Sequence, residues 1–167
     1  MTTQETIEDQ WVEATCLKNP HLDQSLLQTA HDYAQKLSVD ATSPYTTSTL
    51  EQGIKMAALL LDIGCDTPTL AAALAHPSVY YAQPNREKVN QALTPQVSKL
   101  IYGATRMEAI HDMQRQSDTL NPQQIDNLRK MLLAIVDDVR IVLIKLAERL
   151  ITYMPDDINH VFYTNSG

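Results

Sequence analysis

From Ile125 to Thr152 apolar side chains fall on several faces of a helical pattern, and a segment of that kind must be enclosed by other elements. The spacing predicts a central, mostly buried helix. Unbroken, it would be about 42 Å long, more than a small domain accommodates. A break is expected at Asp137-Asp138, with Asp138 capping a second piece that starts at Val139. The chain around it has 167 residues, 44% of them hydrophobic, which is enough for one core without staples. Glycine occurs four times, and Phe and Trp once each, too few turn and β-forming residues for a sheet-rich fold. The expected fold class is all-α.

Punctuation along the chain divides it into further helices. Ile7, Trp11, Val12 and Leu17 suggest a short amphipathic helix that ends near Asn19-Pro20. Leu22, Leu26, Leu27, Ala30, Tyr33, Ala34 and Leu37 carry helical spacing, and residues 38–47 read as a polar loop. Ser48 can cap a helix that Gly64 closes in a left-handed conformation. Thr67 is expected to cap the next helix, with Pro68 at its first position. That helix should stop at His76, because Pro77 disfavours the α conformation before it, leaving Tyr80-Tyr81 in a loop. Helices are expected over 85–93 and 95–110, then a polar stretch over 111–120. Asn121, Pro122 and Gln124 form the start of the helix that leads into the central segment. After Pro155 the chain turns polar and irregular.

Several classes are excluded. The net charge of −7 opposes non-specific binding to nucleic acid or anionic membranes. No apolar run fits a signal peptide or a membrane span. Cys16 and Cys65 are too few for a disulfide framework or zinc cluster and read as buried, reduced thiols. His31-Asp32 and His111-Asp112 lack neighbouring histidines and read as surface pairs. The Lys and Arg residues are scattered as on a solvated face, and Lys145 and Arg149 could face a nucleotide or solvent equally well. There is no glycine-rich phosphate loop, nucleophile elbow, His-Glu-x-x-His or Cys-x-x-Cys.

Two segments carry a specific resemblance. Residues 128–150, Leu-Arg-Lys-Met-Leu-Leu-Ala-Ile-Val-Asp-Asp-Val-Arg-Ile-Val-Leu-Ile-Lys-Leu-Ala-Glu-Arg-Leu, and residues 69–76, Thr-Leu-Ala-Ala-Ala-Leu-Ala-His, closely resemble the N-terminal hydrolase-type domain of the RelA/SpoT family. Residues 97–107 resemble that family's helix after its signature loop. The resemblance covers about residues 22–153 and implies an all-α domain of the HD superfamily over 21–154. It leaves an N-terminal helical extension over 1–20 and a polar tail over 155–167.

The resemblance also implies a site, and its loss. Active members hold manganese and remove the 3′-pyrophosphate of the alarmones ppGpp and pppGpp. They use a histidine, a His-Asp pair, a Glu-Asp pair, and an Asp followed four residues later by Asn. Carried over, the first histidine falls on Gln52, or on Ser48 if Tyr45 anchors the alignment. The His-Asp pair falls on His76-Pro77, the Glu-Asp pair on Tyr80-Tyr81, the distant Asp on Glu148 and its Asn on Thr152. Only His76 keeps its identity, as a structural or helix-capping residue. Pro77 has no donor atom, and a hard divalent metal needs several converging ligands. Without a metal, bound water keeps a pKa near 15.7, and a tyrosine with a pKa of about 10 is no general base at neutrality.

A degenerate hydrolase domain ahead of an intact synthetase is the RelA-type pattern. The resemblance therefore implies an inactive domain, with no manganese, cut from a cytoplasmic bacterial GTP pyrophosphokinase of the stringent response. The synthetase, which moves pyrophosphate from ATP to GTP or GDP with magnesium, would lie outside this chain. The implied partners are that synthetase domain and, through other regions, the ribosome. The alternatives are an active hydrolase with altered ligands such as His76, Glu148 and Asp62 or Asp66, and a stand-alone helical adaptor.

Overall fold

A computed structural model describes residues 3–41, 47–116, 121–136 and 138–153. The described residues form eight helices and no strand: α1 (Thr3–Lys18), α2 (Gln24–Ser38), α3 (Thr49–Asp62), α4 (Thr67–Ala82), α5 (Arg86–Ala92), α6 (Pro95–Gln116), α7 (Pro122–Val136) and α8 (Val139–Tyr153). The fold is all-α, as expected. The expected tip of the 38–47 loop and the tail after Met154 lie outside the described residues.

Most helix starts follow the capping residues in the sequence. The Ser48 side chain accepts from the Glu51 N–H, and Asp138 accepts from the Arg140 N–H at 3.1 Å, so the break before Val139 is where the paired aspartates place it. Asn121 and Gln124 bond reciprocally at 2.8 and 2.9 Å, side chain to backbone in both directions. Gly64, at φ 86°, ends α3, with its own N–H on the Leu61 carbonyl and the Cys65 N–H on that of Leu60.

The main correction concerns α4. It does not stop at His76; it continues through Pro77 to Ala82 and takes in Tyr80 and Tyr81. A proline inside a helix removes one backbone bond and crowds the carbonyl four residues earlier. Tertiary packing outweighs that cost here, because every residue from Thr69 to Val79 is buried. Ser78 adds an anchor, donating to the Ala34 carbonyl at 3.1 Å or the Thr49 hydroxyl at 2.9 Å and so facing both α2 and α3. The cap is also one residue earlier than expected. Asp66 accepts from the Thr69 N–H at 3.2 Å, whereas the Thr67 hydroxyl accepts from the backbone of Asp23.

Helix α4, not the 125–152 segment, is the enclosed element. It packs against α2, α3, α6 and α8. Of the segment expected to be central, α8 buries Ile141, Ile144 and Ala147, but α7 leaves Ile125 and Leu133 exposed. Helix α6 runs on to Gln116, past the expected end at 110. Helix α1 joins through His31, which is buried rather than at the surface. Its Nε2 donates to the Glu8 carbonyl at 2.8 Å. Cys16 is buried as expected, but Cys65 is only half-buried.

Two contacts fix α4 against its neighbours. At Gly53 the backbones of α3 and α4 nearly touch: a Cβ there would sit 2.1 Å from the Leu74 carbonyl oxygen. At the other end, Arg140 bonds the α8 cap Asp138 at 2.8 and 2.6 Å and reaches the α4 cap Asp66 at 3.0 Å. Burial raises the Asp66 pKa, but its bonds from Thr69 and the charge of Arg140 outweigh this and leave it lowered. The Arg140 hydrogen bond is the main reason Asp138 is lowered too.

Gly53→Ala should therefore separate α3 from α4 and cost about 3 kcal/mol or more, measured by urea unfolding. Gly64→Ala, with nothing within 4 Å but a positive φ, should cost only about 1 kcal/mol. Arg140→Met should cost about 1 kcal/mol near neutrality, since the cluster is partly exposed. The two carboxylates have lowered pKa values when folded. Their stabilisation is therefore complete above the unfolded carboxylate range and is lost as pH falls through the folded values. The difference between the native chain and Arg140→Met should shrink to nothing in acid.

Candidate functional site

The positions carried over from the family come from three helices that pack on one another, α3, α4 and α8. Gln52 lies on α3 and is buried, with its amide directed to the Thr47 carbonyl at 3.3 Å and the Thr47 hydroxyl at 3.4 Å. His76, Pro77, Tyr80 and Tyr81 follow one another along α4, and Glu148 and Thr152 lie one turn apart on α8. The Thr152 hydroxyl is used locally, donating to the Glu148 carbonyl at 2.9 Å.

His76 is 4% exposed, and among the described residues neither of its ring nitrogens has a hydrogen-bond partner. It lies in the middle of α4, so it is not the helix cap that the sequence suggested. Its ring stacks against Tyr80 at 6.2 Å with 11° between planes, and Tyr80 meets Tyr81 edge-on at 5.0 Å. Burial, with the nearby charge of Lys145, pushes its pKa down to about 4. The imidazole is therefore neutral at physiological pH.

Lys145 completes the group, and sequence reasoning placed it poorly. It is buried, neither facing solvent nor spread on a charged surface, and its Nζ pairs with Glu148 at 2.9 Å. Burial pushes the Lys145 pKa down, and Glu148 opposes that shift. The signal in the sequence was a Lys and a Glu three residues apart on a largely apolar helix. Arg149 is half-buried beside them.

The donor set does not fit a hard divalent cation. Among the described residues no three His, Cys, Asp or Glu side chains come together as a ligand group. Pro77 supplies no donor, Tyr80 stacks on the ring, and the one nearby carboxylate already neutralises an ammonium. Asp66 cannot serve from where it stands: it caps α4, and about 15 Å of helix separates it from His76. Asp62 is exposed at the end of α3. The side chains of His111 and Asp112 lie outside the described residues. What this arrangement can do chemically is narrow. Among the described residues the neutral imidazole has no partner to hold a proton in place, and the Glu148 carboxylate, a candidate base, is engaged with Lys145.

Comparison with known proteins identifies the family. The sequence profile of the HD domain matches residues 30–154. The chain belongs to the HD-domain family. Within it, the resemblance is to the RelA/SpoT type. The chain is 33% identical over 135 residues to the GTP pyrophosphokinase rsh of Brucella ovis, covering 78% of this chain and 17% of that protein. It is 33% identical over 158 residues to the GTP pyrophosphokinase of Haemophilus influenzae, covering 93% of this chain and 21% of that protein. It is 34% identical over 122 residues to that of Escherichia coli, covering 72% of this chain and 16% of that protein. This HD domain thus spans about a fifth of the length of these relatives. Among the described residues no helix is long and apolar enough to cross a membrane.

An unpaired buried imidazole costs about 1–3 kcal/mol, and an apolar side chain of similar size removes that cost. His76→Leu should therefore fold as stably as the native chain or more so near neutrality. The pH dependence has a defined sign. The folded pKa of about 4 lies below the ordinary histidine value of 6.5, so the unfolded chain binds the proton first. Stability should be full above the unfolded value and fall by about 3 kcal/mol as pH drops to the folded one. His76→Leu should flatten that slope, and Lys145→Met should move the His76 titration upward in an NMR pH series.

Proposed function

We propose that this chain is a catalytically inactive HD domain of a RelA-type GTP pyrophosphokinase, acting in alarmone metabolism as a regulatory or structural partner of a synthetase domain. The observation that carries the reading is the state of His76. The one family position that keeps its residue is buried, neutral and unpaired among the described residues, and its neighbours are a proline, a stacked tyrosine and a lysine already held by Glu148. A hydrolase of this kind needs a metal-bound water near neutral pKa and a carboxylate to move protons, and these residues supply neither.

The relatives' names support the parent activity, transfer of pyrophosphate to GTP or GDP, and that chemistry would reside in the synthetase domain with its own magnesium. In a protein of this type the setting would be the bacterial cytoplasm, with the ribosome reached through other regions. The HD domain would then act by packing, and its large buried α4 makes it a rigid body for that role.

The test is direct. The purified chain, incubated with ppGpp and manganese, should release no pyrophosphate above the level of buffer alone. Isothermal calorimetry with manganese should show no tight single site. Multiple-turnover release of pyrophosphate that disappears in His76→Leu would overturn the proposal.

A further inference from the structure

Helix α6 carries a row of cations that the fold gathers from two helices. Lys99, Tyr102 and Arg106 follow at i, i+3 and i+7, so their side chains leave one face of the helix. Arg86, the first residue of α5, places its guanidinium over the Tyr102 ring, 4.7 Å from the ring centroid. Arg86, Lys99 and Arg106 are exposed, and Tyr102 is half-buried. Between Arg86 and Arg106 the only acid is Glu87, in a chain whose net charge is −7.

With 20 acidic residues to 13 Lys and Arg, cations in this chain are not short of partners. Lys55, Lys130, Arg140 and Lys145 each pair with a carboxylate. Among the described residues, Arg86, Lys99 and Arg106 pair with none. The charge of Lys99 reaches Asp138, but that carboxylate is already bonded by Arg140. Stacking on Tyr102 holds the Arg86 guanidinium in place and uses none of its N–H donors.

We propose that this face docks an acidic helix of another polypeptide, one with carboxylates at i, i+3 or i+4, and i+7. Charge and spacing together select that occupant. Along the α6 axis Lys99 stands about 4.5 Å before the Arg86–Tyr102 pair, and Arg106 about 6 Å after it. A helix laid alongside presents carboxylates at the same intervals. The guanidinium of Arg86, already oriented, offers a fork that one carboxylate takes with two parallel bonds. Nucleic acid is a poorer fit. A duplex brings one negative charge per ~1.7 Å of its axis, and the acidic remainder of the chain repels so dense a line. A sparse row of carboxylates meets less of that repulsion. The proposal is independent of whether the HD domain hydrolyses alarmones.

The experiment is an NMR titration of the isotope-labelled full chain at low salt. The probe is a synthetic alanine-rich helix with three glutamates on one face, at i, i+3 and i+7. The controls are a peptide of the same composition with its glutamates spread around the helix, and a single-stranded RNA of equal charge. The expected shifts centre on Arg86, Lys99, Tyr102 and Arg106, with the one-faced peptide bound about fivefold more tightly than the spread one. Arg106→Glu should weaken binding about fivefold and leave urea unfolding unchanged, since the side chain is exposed. Arg86→Lys, which keeps the charge and loses the fork, should weaken it about twofold. Raising salt from about 10 to about 150 mM should abolish most of the binding, because the screening length shortens from about 30 to about 8 Å. Equal binding of the two peptides, shifts centred elsewhere, or no shifts at all would overturn the proposal. Tighter binding of the RNA would overturn it as well and assign the face to nucleic acid.

Discussion

Helix α4 is enclosed by α2, α3, α6 and α8, and its composition is what allows four helices to approach it so closely. Ala71, Ala72, Ala73 and Ala75 are fully buried, and side chains this small bring neighbouring backbones near. The approach is closest where Gly53 of α3 faces the Leu74 carbonyl. A helix confined in this way cannot bend out at a proline without opening the core on every side. The cost of keeping Pro77 helical is a few kcal/mol, whereas the burial lost by ending the helix at His76 would include Ser78 and Val79 and their contacts with α2 and α3. Continuation through Pro77 is the cheaper outcome.

That continuation determines what surrounds His76. Had α4 ended there, the imidazole could have turned to solvent or bonded the free carbonyls of the last turn. Inside the helix it is held among packed side chains, and the nearby Lys145 cation disfavours its protonation. Tyr80, one turn further on, closes over the ring because the helix carries it to the same face. The same stretch of helix therefore explains the depressed pKa, the unpaired nitrogens and the position of the tyrosines.

The sequence made the fold legible wherever one residue type has one dominant local use. Ser48, Asn121 with Gln124, and Asp138 all cap the helices they were expected to cap, and Gly64 takes the left-handed position. Reading failed where a local preference competes with packing. Pro77 is a helix breaker only if the helix is free to end. Thr67 and Asp66 are both good caps, and the choice turned on Asp23, 44 residues away, which donates to the Thr67 hydroxyl. The exposure of α7 and the burial of His31 depend on which helices are neighbours, and spacing along one helix does not carry that information. At the site, the family positions were legible by resemblance and Lys145 was not, since a single lysine on an apolar helix is equally consistent with solvation and with a buried pair.

The Arg140 cluster and the Lys145–Glu148 pair show how α8 can be both a core helix and a charged one. At its start, Arg140 joins the N-terminal caps of α4 and α8, so two helix ends whose dipoles favour negative charge share one guanidinium. About one and a half turns later, Lys145 enters the core with Glu148, three residues on, paired to it. Both charges on the inner side of α8 are thus neutralised from within this domain. The inner side needs no metal ion to balance it, and an added divalent cation would have to displace Lys145 from Glu148 and leave an ammonium buried without its partner. Breaking a buried pair in that way costs about 3–5 kcal/mol, which sets how tightly any metal would have to be bound by the remaining donors before it could enter.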